Sequence, residues 1–285
     1  KAEGFLVLAT LIWGGTFVVI KTGLSDTSPF LFLGIRFFLA FLLIIPFAIP
    51  RRGAINLRSL KYGLFLGIFQ FLGYSLQTLG LQYTTVAKSS LLTYIYALIT
   101  PLLQYAVLKK RIKKANLIGL LIVLAGILLF ASPENSTLNR GDYLTLGSAF
   151  SYAFYIILLD LLTSREDPVI LTSVQFLFTA LVCLGLSPLL EDTYIRLTRD
   201  SLFALLYLAS LGSVGAIYIM NKFQKETTPT KAVIIYALEP VFAVILGFLF
   251  LKEGLKIVEM TGAALILGGV MVSEVLGLLS DRQKR

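Results

Sequence analysis

Two stretches decide the fold: Thr84-Thr85-Val86-Ala87-Lys88 and Thr227-Thr228-Pro229-Thr230-Lys231. They stand 143 positions apart, each at the head of an apolar run, and the same spacing carries Leu108-Lys109 and Lys113 onto Leu251-Lys252 and Lys256. Gly119 and Gly126 likewise fall on Gly262 and Gly269. Nearer the start, Pro29 with Arg36-Phe37 corresponds to Pro168 with Gln175-Phe176 at a spacing of 139. The four-residue change falls near 191–200, in a longer connection where an insertion costs little. A self-similarity of this kind marks a duplicated chain, and the expected halves are residues 1–137 and 138–285.

Composition says where such a chain lives. Of 285 residues, 57% are hydrophobic and 14% charged, with a mean hydropathy of +0.85. A soluble domain carries about a quarter of its residues as charges, so this chain cannot cover an ordinary aqueous surface. Apolar runs fall near 5–24, 30–49, 61–82, 89–108, 115–132, 142–162, 169–190, 202–222, 232–251 and 257–279. Each is close to the ~20 residues that a helix needs to cross the hydrocarbon core. In that medium the backbone must satisfy itself, which makes runs of this length helices; barrel strands would be about half as long and would alternate in polarity. The expected fold is therefore an all-α integral membrane protein with ten transmembrane helices. Five helices per half is an odd number, so the second half enters from the opposite side. The result is two inverted five-helix repeats, an arrangement that suits alternating access.

The net charge of +9 reads as an orientation signal. Seventeen Lys and Arg residues, among them the cluster Lys109-Lys110-Arg111 with Lys113 and Lys114, fall on the side of the two termini; six fall on the other side. Both termini are thus expected in the cytoplasm, with the chain multi-pass in the inner (plasma) membrane, and no nucleic-acid partner is needed to explain the charge. The sequence opens at Lys1 rather than Met and is expected to be trimmed; no cleavable signal pattern precedes the first run. There is no His, and the single Cys183 lies inside an apolar run. His/Cys metal cages, disulfides and Ser-His or Cys-His pairs are excluded. No catalytic residue, metal or cofactor is expected, and the chain is not read as an enzyme. The absence of a Gly-rich phosphate loop argues against primary pumping.

Several stretches carry a family likeness. The first run reads Leu11-Ile12-Trp13-Gly14-Gly15-Thr16-Phe17, and the second continues Ser28-Pro29-Phe30 to Arg36-Phe37-Phe38-Leu39-Ala40. The ninth reads Tyr236-Ala237-Leu238-Glu239-Pro240-Val241-Phe242-Ala243, followed by Leu251-Lys252-Glu253-Gly254-Leu255 and by Gly262-Ala263-Ala264 to Gly268-Gly269. With these motifs in this order along the whole chain, the sequence resembles the EamA-domain family of the drug/metabolite transporter superfamily. The resemblance implies two inverted halves and transport of small organic metabolites, often amino acids and frequently as export. It differs from the family pattern at Lys110, where the first half usually has an acid, and at Pro101, one turn beyond Ala97, the repeat partner of Pro240.

Candidate site residues are the polar ones that share a face. Ser89, Thr93, Tyr96 and Thr100 fall within ~60° of one another at 100° per residue. The 143 spacing maps them onto Ala232, Tyr236, Glu239 and Ala243. Gln70, Tyr74 and Gln77 form a second stripe, with Ser213 as the repeat partner of Gln70. Polar faces avoid lipid and here can converge on a cavity; interhelical hydrogen bonding is the rival reading. Trp13 and Phe17 share a face, and a spacing of 137 pairs them with Phe150 and Phe154. Such rings suit apolar parts of a substrate or simple packing. Glu239 is the sharpest candidate, ~12 Å into its run, where a carboxylate costs ~2.5–3.5 kcal/mol unless paired, protonated or hydrated. It is read either as a group that couples protons or pairs with a substrate amine, or as a hydrogen-bonding partner beside the Pro240 kink. Arg36 reads first as a tie between helices and second as a carboxylate binder. Lys88 and Lys231 read as anchors at helix starts, and the glycines of the fifth and tenth runs as packing or dimer contacts.

The expected partners are a small-molecule substrate and the lipid bilayer, with the chain a monomer or homodimer. Polar, mostly uncharged stripes favour a zwitterionic or neutral substrate such as an amino acid. The alternatives are an anionic metabolite such as a sugar phosphate or nucleotide, which would ask for more than one buried cation, and a non-transporting membrane receptor.

Overall fold

The computed structural model describes residues 2–84, 86–130, 138–162, 166–251 and 257–282. Among them the chain is helical, apart from turns and one antiparallel bridge between Thr27 and Ile195. The helices are α1 (Ala2–Gly23), α2 (Pro29–Ala48), α3 (Leu57–Leu81), α4 (Val86–Thr93), α5 (Tyr96–Leu108), α6 (Lys114–Phe130) and α7 (Arg140–Leu162). They continue with α8 (Pro168–Leu190), α9 (Arg199–Tyr207), α10 (Ala216–Phe223), α11 (Pro229–Tyr236), α12 (Leu238–Leu251) and α13 (Ile257–Arg282). Six stretches are long and apolar enough to cross a membrane: Ala2–Gly23, Pro29–Ala54, Leu57–Leu81, Arg140–Leu162, Pro168–Leu190 and Arg199–Glu226. The chain is a multi-pass membrane protein.

Local chemistry sets the helix starts. The Asn56 side chain accepts from the amides of Arg58 and Ser59, and Ser59 Oγ accepts from the Asn56 amide, a reciprocal cap that frees no donor into lipid. Thr198 with Ser201 repeats the device at α9. Asp167 and Thr228 cap α8 and α11 ahead of Pro168 and Pro229, whose missing N–H is harmless in a first turn. At the far end of the bundle, Glu191 takes the free amides of Phe30 and Leu31, each at 3.0 Å, and so holds the start of α2 against the end of α8.

The fourth and ninth runs, expected as continuous helices, are each broken. The α-helical hydrogen-bond ladder is interrupted at Tyr94-Ile95 and again at Ala237, although the backbone of Ile95 and Ala237 stays right-handed helical, and Tyr94 and Ala237 are 143 apart. At Ala237 the cause is local, because Pro240 cannot donate to the carbonyl of Tyr236. At Tyr94 no proline is near enough; Pro101 sits inside α5. There the break is held from outside, as the Tyr94 hydroxyl donates to the carbonyl of Val233 in the last turn of α11. Between α9 and α10, residues Leu208–Gly215 form a widened π-helical stretch.

Three glycines of the fifth and tenth runs, Gly119, Gly126 and Gly269, pack against backbone within the chain. A Cβ on Gly119 would stand 2.7 Å from the carbonyl oxygen of Gly269, and one on Gly126 would stand 2.8 Å from that of Gly262. The backbones of α6 and α13 therefore touch, which is the contact that small residues permit in lipid. Gly269→Ala is expected to lower stability by ~1–3 kcal/mol, since the added carbon meets the Gly119 carbonyl at 2.7 Å and the Val123 amide nitrogen at 2.8 Å. Gly268→Ala, with nothing within 4 Å, is the control. Detergent unfolding midpoints that are equal for the two variants would contradict this packing.

Candidate functional site

Residues flanking the two breaks help to line a cavity of about 70 Å³, several times the ~10–15 Å³ that one water requires. Helix α1 contributes Trp13 and Thr16; α3 contributes Gln70, Tyr74 and Gln77; Thr93 ends α4 and Tyr96 begins α5. From the other half come Tyr152, Tyr155 and Ile156 on α7, Ile217 and Met220 on α10, Tyr236 at the end of α11 and Glu239 in the first turn of α12.

These residues form a numerical pattern. Trp13 and Tyr152, and Thr16 and Tyr155, are 139 apart; Tyr74 and Ile217, Gln77 and Met220, Thr93 and Tyr236, and Tyr96 and Glu239 are 143 apart. Twelve of the fourteen described wall positions thus pair at the spacings expected of repeat partners. The chemistry is not equal across the pairs. Tyr74 and Gln77 face the cavity where the second half offers Ile217 and Met220, and the carboxyl of Glu239 answers the phenol of Tyr96.

The wall is tied together by its own polar groups. Gln77 Nε2 donates to Thr93 Oγ1 at 3.2 Å, and its Oε1 accepts from the Tyr152 hydroxyl at 3.2 Å, so one amide joins three helices. Tyr155 donates toward Gln175 Oε1 at 2.7 Å and stands 3.0 Å from Asn221 Oδ1; Tyr236 donates to Gln224 Oε1 at 3.1 Å. The Trp13 ring meets Tyr236 edge-on, with centroids 5.8 Å apart, while its Nε1 donates to the Gly212 carbonyl at 3.1 Å in the π stretch. A widened turn frees carbonyls from the helical ladder, and Trp13 uses one. Tyr152 lies edge-on to both Tyr74 and Tyr96.

Glu239 differs from all of these. Its carboxylate lines the cavity, and among the described residues no hydrogen bond or ion pair reaches it. Its place in the first turn of α12 puts the helix dipole in its favour.

Of the residues expected at a site, Trp13, Gln70, Tyr74, Gln77, Thr93, Tyr96, Tyr236 and Glu239 lie on this wall. Phe17, Phe154 and Ser213 lie off it. Phe17 is buried in an apolar cluster with Ile20 and Leu208; Phe154 is 38% exposed on the outer surface, stacked on Phe69 at 5.5 Å; Ser213 accepts from Arg36 Nε at 3.0 Å. Thr16, Tyr152, Tyr155, Ile156, Ile217 and Met220 are wall residues that sequence reading passed over. Lys231 pairs with Glu3 at 2.5 Å. The side chain of Lys88 and residues Lys252, Glu253 and Lys256 lie outside the described residues. The described residues contain no group of three or more His, Cys, Asp or Glu side chains placed to hold a metal.

Known proteins of similar sequence agree on a class. The chain is 31% identical over 267 residues to an uncharacterized transporter of Archaeoglobus fulgidus, covering 94% of this chain and 83% of the relative. It is 26% identical over 301 residues to a probable amino-acid metabolite efflux pump of Salmonella typhimurium, covering 100% of this chain and 98% of the pump. A crystal structure with 19% identity superposes with a TM-score of 0.81 over 96% of both chains, which speaks for the fold alone. Residues 1–132 and 139–274 match the EamA-like transporter family. A match over nearly the whole chain, on a multi-pass helical protein with a cavity lined by tyrosines, amides and a carboxylate, places this protein in the EamA-like transporter family.

Proposed function

We propose that the protein is a secondary active transporter of the inner (plasma) membrane that exports a small zwitterionic or neutral metabolite, an amino acid or a compound like it, by alternating access. In this reading the crossings are ten, with α4–α5, α9–α10 and α11–α12 each counting as one, arranged as two inverted five-helix repeats with both termini cytoplasmic. The observation that carries it is the cavity wall, built from residues at repeat spacings and holding a carboxylate without a partner among the described residues. A site between inverted halves can face either side at similar cost. Contacts between the halves support the same symmetry: α3 along α7 is answered by α1 along α10, and α5 along α7 by α1 along α12. Paired interruptions of the helical ladder at 94–95 and 237 are compatible with the helix discontinuities found at such sites.

Substrate class follows from the wall. A single carboxylate among tyrosines and amides suits an ammonium group, with apolar parts against Ile156, Ile217 and Met220. The Salmonella relative's description as an amino-acid metabolite efflux pump points the same way.

Counterflow into proteoliposomes of the purified chain tests the proposal. Preloaded unlabelled amino acid is expected to accelerate entry of the labelled one, chemically unchanged, for at least one zwitterion of a panel. Binding without trans-stimulation would make the chain a receptor, and a labelled product would make it an enzyme.

A further inference from the structure

Arg36 stands one side-chain layer behind the cavity and is fully buried. A guanidinium carries five N–H donors. Here Nε is used, donating to Ser213 Oγ at 3.0 Å, while Nη1 and Nη2 have no hydrogen-bond partner among the described residues. Apart from a marginal approach of the Tyr74 side chain, the four donors of this buried cation lack well-formed hydrogen bonds among the described residues, a costly state in a protein interior. What faces the group instead is aromatic: its central carbon is 4.8 Å from the Tyr74 ring centroid and 5.0 Å from that of Phe37. Ring faces attract a cation but satisfy none of its N–H groups.

Two features place this cation at the cavity. Tyr74 is itself a wall residue. A Cβ built on Gly212 would lie 3.2 Å from the side chain of Thr16, another wall residue, and 3.6 Å from Arg36 Nη2, so only a thin layer separates the fork from the chamber. The repeat partner of Arg36, Gln175, reaches the wall directly, accepting from Tyr155 at 2.7 Å.

We propose that the Arg36 guanidinium is a carboxylate-binding subsite of the cavity, screened by the Tyr74 ring and reached when that ring swings aside. The paired Nη donors match the two oxygens of a carboxylate, and Ser213 fixes the fork from behind. With Glu239 free on the opposite half, the chamber offers one anion and one cation to a substrate, which narrows the zwitterion of the proposed function to one bearing a free carboxylate. The inference rests on that cavity being the substrate chamber.

Trp13 is the only tryptophan of the chain and lines the cavity, so its fluorescence reports occupancy. The full chain in nanodiscs, in a low-salt zwitterionic buffer, is titrated with butyrate and with butyramide, which differ in charge but hardly in shape. Butyrate is expected to bind at least about tenfold tighter. Arg36→Gln is expected to erase the difference, and Arg36→Lys to retain part of it, because the charge stays while the fork is lost. Tyr74→Leu, which removes the screening ring and leaves Arg36 in place, is expected to raise the ratio of butyrate to butyramide affinity. Equal affinities in the natural chain overturn the proposal, whether or not Arg36→Gln folds. So does a preference that survives Arg36→Gln, or chloride saturating the same signal and excluding butyrate, which would make this a halide site. Anion selectivity without counterflow would sink the transport reading and leave the subsite standing; counterflow with no butyrate preference would do the reverse.

Discussion

Glu239→Gln is expected to reduce exchange of an amine-bearing substrate by about tenfold to a hundredfold, the range that loss of a charge-assisted hydrogen bond commands. The substitution keeps volume and shape and removes only the charge. Because the carboxylate has no partner among the described residues, nothing structural is unpaired by the change. A fall in transport without a fall in unfolding midpoint therefore reports function. A second readout is stricter. One carboxylate cannot hold a proton and a substrate ammonium at the same time, so occupancy by either excludes the other, and the two are linked by a reciprocal coupling free energy. Acidifying the receiving compartment is expected to speed efflux by the natural chain, since a proton there displaces the departing amine. In Glu239→Gln liposomes the same gradient is expected to do nothing. Equal stimulation of the two proteins would remove Glu239 from coupling, and unchanged exchange would remove it from the site.

How far the sequence reveals this site depends on which offset is followed. The 143 spacing, read from Thr84 and Lys88, maps Thr93 and Tyr96 onto Tyr236 and Glu239, and all four face the cavity. The same spacing carries Tyr74 and Gln77 onto Ile217 and Met220, which an eye trained on polar stripes passes over because they are apolar. On the first helix the spacing of 137 pairs Trp13 with Phe150, which is 54% exposed. The spacing of 139, already visible between Pro29 and Pro168, pairs it with Tyr152 on the wall. A difference of two residues turns a helix by about 200°, enough to exchange the cavity face of α7 for its outer face. The signal was present, since the connections after α1 and α7 are of nearly equal length. The break at Tyr94 was not legible at all. It depends on a hydroxyl reaching the Val233 carbonyl across the repeat, a contact that no local pattern records. Nor does periodicity disclose that the two terminal nitrogens of Arg36 lack well-formed hydrogen bonds among the described residues, because that depends on which side chains the neighbouring helices present.

Gly14→Leu is expected to abolish measurable transport while leaving a folded, less stable protein. A Cβ at this position would meet the Phe242 Cβ at 2.6 Å, the Ala243 amide nitrogen at 3.0 Å and the Glu239 carbonyl oxygen at 3.1 Å. Two of these are backbone atoms of α12, which cannot turn aside as a side-chain tip does, so α12 must back away from α1. Overpacking of this kind costs ~1–3 kcal/mol, occasionally more. The functional effect should exceed the stability effect, because the displaced turn is the one that carries Glu239, and Trp13 and Thr16 lie one residue before and two after the wedge. A shift of ~1 Å in a positioned group can cost about a hundredfold in rate. Gly14→Ala, with a single carbon to accommodate, should fall between Gly14→Leu and the natural chain in both readouts. Gly4→Leu, on the same helix with nothing within 4 Å, should transport normally. If Gly14→Leu exchanged substrate at the natural rate, the close approach of α1 to α12 would be irrelevant to the chamber, and Glu239 would owe its place to something other than this glycine.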